Sequence, residues 1–143
     1  MRQIQDSGEA EQAVKNAAQS LAIATRNLGI ATWLDHIHRF GMSNLFSHPE
    51  FQTSTQAFEI ARLLDSLPEY LDEIFPNANR VSILIGAENP IGKSAGATSI
   101  IGRVQTPYGP SFIGVIGPTR QDYAHVVGLV DYVSQKLEEA LSE

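Results

Sequence analysis

The sequence has no cysteine in its 143 residues. That excludes a disulfide framework and any zinc site built on thiolates. Basic residues are also scarce: 10 Lys and Arg stand against 16 Asp and Glu, giving a formal net charge of −6. A domain that grips a phosphate backbone unaided concentrates Lys and Arg on one face or in one window. Here they are scattered, which argues against nucleic-acid binding by this chain alone. No apolar run approaches the roughly 20 residues that span a bilayer. The opening MRQIQDSGEAEQ lacks the apolar centre of a signal peptide. The expected location is therefore the cytoplasm, with no membrane partner. No nucleophile–base set stands out, so neither enzyme activity nor a cofactor is expected.

What is present suits one domain over residues 1–143, because 43% apolar residues are too many for general disorder. A helix is expected over 9–28. Asp6 and Glu9 have the spacing of a capping box, and Gly29 suits a C-terminal cap. Val14, Leu21 and Leu28 recur every seven residues, with Ala10, Ala17 and Ala24 on the same cadence. The first reading of that face is packing against its own domain; the second is a dimer helix. An α/β core then occupies 32–143. Gly41–Phe51 reads as a compact turn with a short helical piece capped by Ser43 or Asn44, burying Leu45 and Phe46. Thr53–Phe75 reads as a helix in two parts, broken where Ser66 and Glu69 form a second capping box around Pro68. Val81–Ala87 is nearly continuous in apolar residues, which predicts a strand covered on both faces. Strands are expected over Ala97–Val104 and Phe112–Ile116, joined by a longer loop around Tyr108-Gly109-Pro110. A valine-rich helix closes the chain from Thr119 to about Leu141, and packing must override its poor propensity.

Two stretches invite functional readings. In Ser111–Tyr123, the strand is expected to break at Gly117-Pro118, with Thr119 as N-cap bonding the Asp122 N–H. Arg120 would then stand in the first turn, against the helix dipole. That misfit predicts a partner for it: Glu88, another carboxylate or a second subunit. Ala87–Ser94 loosely fits a phosphate-binding loop ending in Lys93-Ser94. However, Pro90 lacks an N–H, Glu88 is negative, and a glycine-rich β-branched segment follows where a helix is needed. A flexible strand-to-strand loop is the preferred reading.

The runs Asn44–Phe51, Gly86–Asn89 and Gly114–Tyr123 together resemble the C-terminal part of the heat-inducible transcription repressor HrcA family. That family shows Asn-Leu-x-x-x-Pro-Glu-Phe, Gly-x-Glu-Asn and Gly-Val-Ile-Gly-Pro-Thr-Arg-Met-x-Tyr in this order. Gln121 is the departure, where the family usually has methionine. The residues carrying the match form the candidate structural or interaction site: Asn44, Pro49, Glu50, Phe51, Gly86, Glu88, Asn89, Gly117, Pro118, Thr119, Arg120 and Tyr123. The resemblance implies a strand near Asp35–Phe40 leading into Asn44. His36 and His38 would then share a face; two imidazoles at that spacing can ligate a metal, but no third ligand is near in sequence.

The resemblance further implies an α+β, GAF-like fold with an antiparallel sheet of about four strands, incomplete at its start. The family's N-terminal winged-helix domain has no counterpart in these residues. The implied role is the regulatory and dimer-forming part of a repressor of class I heat-shock genes. DNA contact would come from a winged-helix partner or a missing N-terminal domain, and GroEL is an implied partner. Two alternatives are a stand-alone GAF-like sensor of a small ligand and a nucleotide binder using the Lys93 loop.

Overall fold

The computed structural model describes residues 7–67, 71, 80–85 and 97–142. In chain order these give α1 (Ser7–Thr25), β1 (Leu28–Trp33), β2 (His36–Phe40) and α2 (Met42–Ser47). A 3-10 turn (Pro49–Phe51), α3 (Ser54–Asp65), β3 (Val81–Ile85), β4 (Ala97–Thr106), β5 (Gly109–Pro118) and α4 (Tyr123–Leu141) follow. The five described strands make one antiparallel sheet in the order β2-β1-β5-β4-β3. The architecture is α+β and GAF-like, with five strands in place of about four.

Alternation along the strands divides the core between the two faces of the sheet. Leu28, Ile30, Ile101 and Ile116 pack with Leu45, Phe51, Ile60 and Leu63 from α2, the 3-10 turn and α3. Ala31, Trp33, Ile100, Val104, Ile113 and Val115 pack with α1 and α4, through Val14, Leu21, Val126 and Val130. Cover on both faces therefore belongs to the central strands β1, β4 and β5. It does not belong to β3, as its apolar run predicts: β3 is an edge strand, and Ile83 is 38% exposed. An apolar run marks a strand without saying where in the sheet it lies.

Helix α1 ends three residues before the expected Leu28. Arg26, at φ 57°, makes the left-handed turn, and Leu28 begins a strand. Gly29 is not a cap. A Cβ there would lie 2.4 Å from the Ala18 carbonyl oxygen, so glycine lets the helix backbone approach the strand. Helix α1 packs on its own sheet with Ala10, Val14, Ala18 and Leu21 buried, whereas of the seven-residue cadence Ala17 is only partly buried and Ala24 is exposed. Asp6, half of the predicted capping box, lies outside the described residues.

Helix α2 is capped by neither Ser43 nor Asn44. Gly41, left-handed at φ 82°, takes the N-cap position, which places both residues inside the helix. Thr53 caps α3, its side chain accepting the Gln56 N–H at 3.2 Å. Leu67 and Leu71 are buried as the apolar stripe requires; Pro68, Glu69 and residues 72–79 lie outside the described residues. Strands β4 and β5 exceed the predicted spans because their connection is short. Thr106 pairs with Gly109 across a two-residue turn, and Gly109 takes φ +115°.

Candidate functional site

One end of the sheet gathers two of the three family runs. The chain enters β1 there through Asn27, and β5 leaves there through Gly117 and Pro118. Both of these residues remain paired in the ladder, with Thr98 and Ala97. The strand thus ends two residues beyond the expected Ile116, because Pro118 closes it and its missing N–H falls at the sheet's end. Thr119 is not the helix cap. Asp122 is, accepting the His125 N–H at 3.2 Å. Asp caps at least as well as Thr, and residues 119–121 are needed to turn the chain. Arg120 therefore precedes the helix, and the predicted clash with the dipole does not arise.

Asn27 is the hub of this junction and is only 2% exposed. Its Nδ2 donates to Gln121 Oε1 at 3.3 Å, and Gln121 Nε2 donates to the Pro118 carbonyl at 2.6 Å. The residue that departs from the family pattern thus uses both ends of its amide. From the other run, Asn44 Nδ2 donates to the carbonyls of Ala22 and Asn27, each at 3.4 Å. A Cβ on Gly117 would lie 2.4 Å from Asn27 Oδ1, so the glycine makes room for the buried amide. His48 Nε2 stands 3.1 Å from the Arg26 carbonyl, which can only accept, so that nitrogen carries the proton. The Tyr123 hydroxyl donates to the Thr119 carbonyl and lies 3.1 Å from Thr98 Oγ1, which must then be the donor of that second bond.

Across the surface of the junction, Arg120 Nη2 meets Glu50 Oε2 at 3.2 Å. The predicted partner for Arg120 is thus a carboxylate, supplied by the Asn44–Phe51 run. Glu88 itself, with Gly86, Asn89 and the whole Ala87–Ser94 loop, lies outside the described residues. The arginine side chain is 80% exposed and the glutamate 29%. An ion pair in that setting contributes at most about 1 kcal/mol to folding. Glu50 Oε1 is buried with no hydrogen-bond partner among the described residues. Beneath the pair, Phe51 is 1% exposed and anchors the 3-10 turn that begins at Pro49.

The junction is suited to holding a shape and presenting a charged pair. Elsewhere, His36 and His38 do share a face and both approach Glu11 of α1, at 3.8 and 3.0 Å. Among the described residues, no group of three or more His, Asp and Glu is placed to hold a metal ion. Sequence reasoning missed Asn27 and the structural use of Gln121, since nothing local marks a buried amide whose partners are remote.

The sequence matches the family described as HrcA protein C terminal domain over residues 1–127. It is 33% identical over 122 residues to the heat-inducible transcription repressor HrcA of Chlorobaculum tepidum, covering 76% of this chain and 33% of that protein. The HrcA repressor of Carboxydothermus hydrogenoformans is 36% identical over 104 residues, covering 71% and 30%. That of Bacillus pumilus is 32% identical over 105 residues, with the same coverage of 71% and 30%. The chain spans about a third of the length of these curated relatives. Among solved structures, a hypothetical protein at 2.2 Å resolution superposes with a TM-score of 0.74 at 11% identity, covering 92% of this chain and 70% of that one. An IclR homolog from Microbacterium sp. strain HM58-2 gives 0.56 at 12% identity, covering 93% and 66%. These two likenesses show the fold alone.

Proposed function

The chain belongs to the HrcA family, whose C-terminal domain it matches, and on that premise we propose that it is the regulatory and self-associating part of a heat-inducible transcription repressor. It works as one domain over residues 1–143 in the cytoplasm. DNA contact comes from a winged-helix part outside these residues. An inverted-repeat operator calls for a two-fold protein, so the domain's contribution is to pair two such parts. A GroEL-type chaperonin is the proposed further partner. The relatives are named as repressors, and no reaction is assigned to this chain.

The observation that carries the reading is the match to a repressor domain over residues 1–127. The net charge of −6 supports placing the DNA contact elsewhere. No described helix is long and apolar enough to cross a membrane. Within the domain, we assign the buried motif residues Phe51, Gly117 and Pro118 to the corner itself. Asn44 and Tyr123 brace it, and Pro49 starts the turn that carries Glu50. Arg120 and Thr119 are exposed and Glu50 is half-buried beside Arg120, and we assign these residues to the contact surface.

Sedimentation equilibrium tests this. The purified chain should approach twice its 15.6 kDa mass at micromolar concentration. Arg120→Glu should weaken that association while changing folding stability by no more than about 1 kcal/mol. A chain that stays monomeric throughout, and does not associate with a winged-helix protein either, would defeat the proposal.

A further inference from the structure

Strand pairing fixes what lies at each end of the sheet. Leu28 pairs with Ile116 and Ala97 with Pro118 at the junction end, whereas Trp33 pairs with His36 and Thr106 with Gly109 at the hairpin end. Helix α1 runs along this axis with its finish at the junction. Asn44 bonds the Ala22 carbonyl there, while Glu11 reaches His36 and His38 beside the first hairpin turn. Helix α4 runs the other way. The Tyr123 hydroxyl lies 3.1 Å from Thr98 Oγ1, and Glu138 Oε2 accepts the Gln105 N–H at 2.7 Å, next to the second hairpin turn. Ser7, which opens α1, and Leu141, which closes α4, therefore both stand at the hairpin end, away from Arg120 and Glu50.

Charge divides the same way among the described residues. At the hairpin end Glu9, Glu11, Asp35, Glu138 and Glu139 outnumber Arg80, Arg103 and Lys136. At the junction end Arg26 and Arg120 balance Glu50 and Asp122. Two copies of an acidic chain repel each other least where they meet through that balanced end. The junction end also complements itself. Arg120 is 80% exposed and stands 3.2 Å from Glu50. A two-fold axis there sets the Arg120 of each copy against the Glu50 of the other, which gives an alternating set of four charges. An isologous contact requires a patch of this kind.

We infer that two copies of the chain meet tail to tail through their junction ends, with the hairpin ends at opposite poles. The inference rests on the self-association proposed above and adds its geometry. The 19 residues of α1 span about 28 Å, so two copies in line hold their Ser7 residues about 60 Å apart. A pair built side by side on α1 would bring them within about 30 Å, one helix length. Any part joined ahead of α1 is carried outward to a pole, and the contact at Arg120 stays clear of it.

The chain has no cysteine, so one introduced thiol takes one nitroxide label. Ser7 and Ala124 are both exposed, at the hairpin end and the junction end respectively. Ser7→Cys and Ala124→Cys, each labelled in the full chain, are measured by double electron–electron resonance at a concentration where sedimentation gives the dimer. Ser7 labels should lie about 50–65 Å apart and Ala124 labels within about 35 Å, as helix lengths of 1.5 Å per residue require. Ser7 labels within about 30 Å of each other, or Ala124 labels further apart than Ser7 labels, would overturn this geometry while leaving self-association intact. A monomer in sedimentation with no dipolar coupling at either site would overturn both. Each label reports on its own variant, so a failure to fold at one position leaves the other distance to decide.

Discussion

Asn27 shows how much of the candidate site rests on one buried amide. It is 2% exposed, and it links the approach to β1 with Gln121 and Asn44, 94 and 17 residues away along the chain. The space it needs exists because position 117 is glycine. Gly117→Ala would set a Cβ 2.4 Å from Asn27 Oδ1, and should cost about 1–3 kcal/mol in urea denaturation. The atoms struck all belong to the Asn27 side chain. In an Asn27→Ala background the same change should therefore cost less, with a coupling of at least about 0.5 kcal/mol. Strict additivity would show that the contact is not what excludes a side chain. None of this was legible in sequence, where Asn27 reads as a polar residue near a helix end. Leu45 was readable as buried, whereas Phe46, expected beside it, is only partly buried and Phe51 takes the core place; a carboxylate partner for Arg120 was readable too. The identity of that partner was not, because sequence carries no distance between runs 70 residues apart.

At the scale of elements, local pattern was a good guide to type and a poor one to limits. The seven-residue cadence of α1 places Val14 and Leu21 correctly on the buried face, yet it also takes in Leu28, which opens β1. Leu28 fits both patterns, and Gly29 imitates a cap while serving a close approach to Ala18. The pleat of β5 likewise continues through Gly117-Pro118, because an end position tolerates proline. The orientation of α1 can be measured. Leu21 is 1% exposed and Ile23 is 70% exposed. Leu21→Ala should cost about 2–5 kcal/mol by urea denaturation, and Ile23→Ala should stay within about 0.5 kcal/mol. Comparable losses at the two positions would mean that the helix docks by another face.

For the whole molecule, a five-stranded sheet is covered, among the described residues, by α1 and α4 on one face and by α2 and α3 on the other. One end of the sheet carries the Arg120–Glu50 pair, and the other carries the two hairpin turns. Class of fold and family were legible from three short runs in order. The pairing of ends was not, since it depends on the strand order β2-β1-β5-β4-β3. An acidic chain of net charge −6 has little with which to displace counterions from a duplex. The division of labour proposed here, assembly in this domain and operator contact outside it, is tested most directly by fluorescence anisotropy. The purified 143-residue chain is titrated into a labelled inverted-repeat operator and a scrambled duplex at physiological salt. The account predicts no saturable binding to either duplex, whereas tight binding confined to the inverted repeat would contradict it.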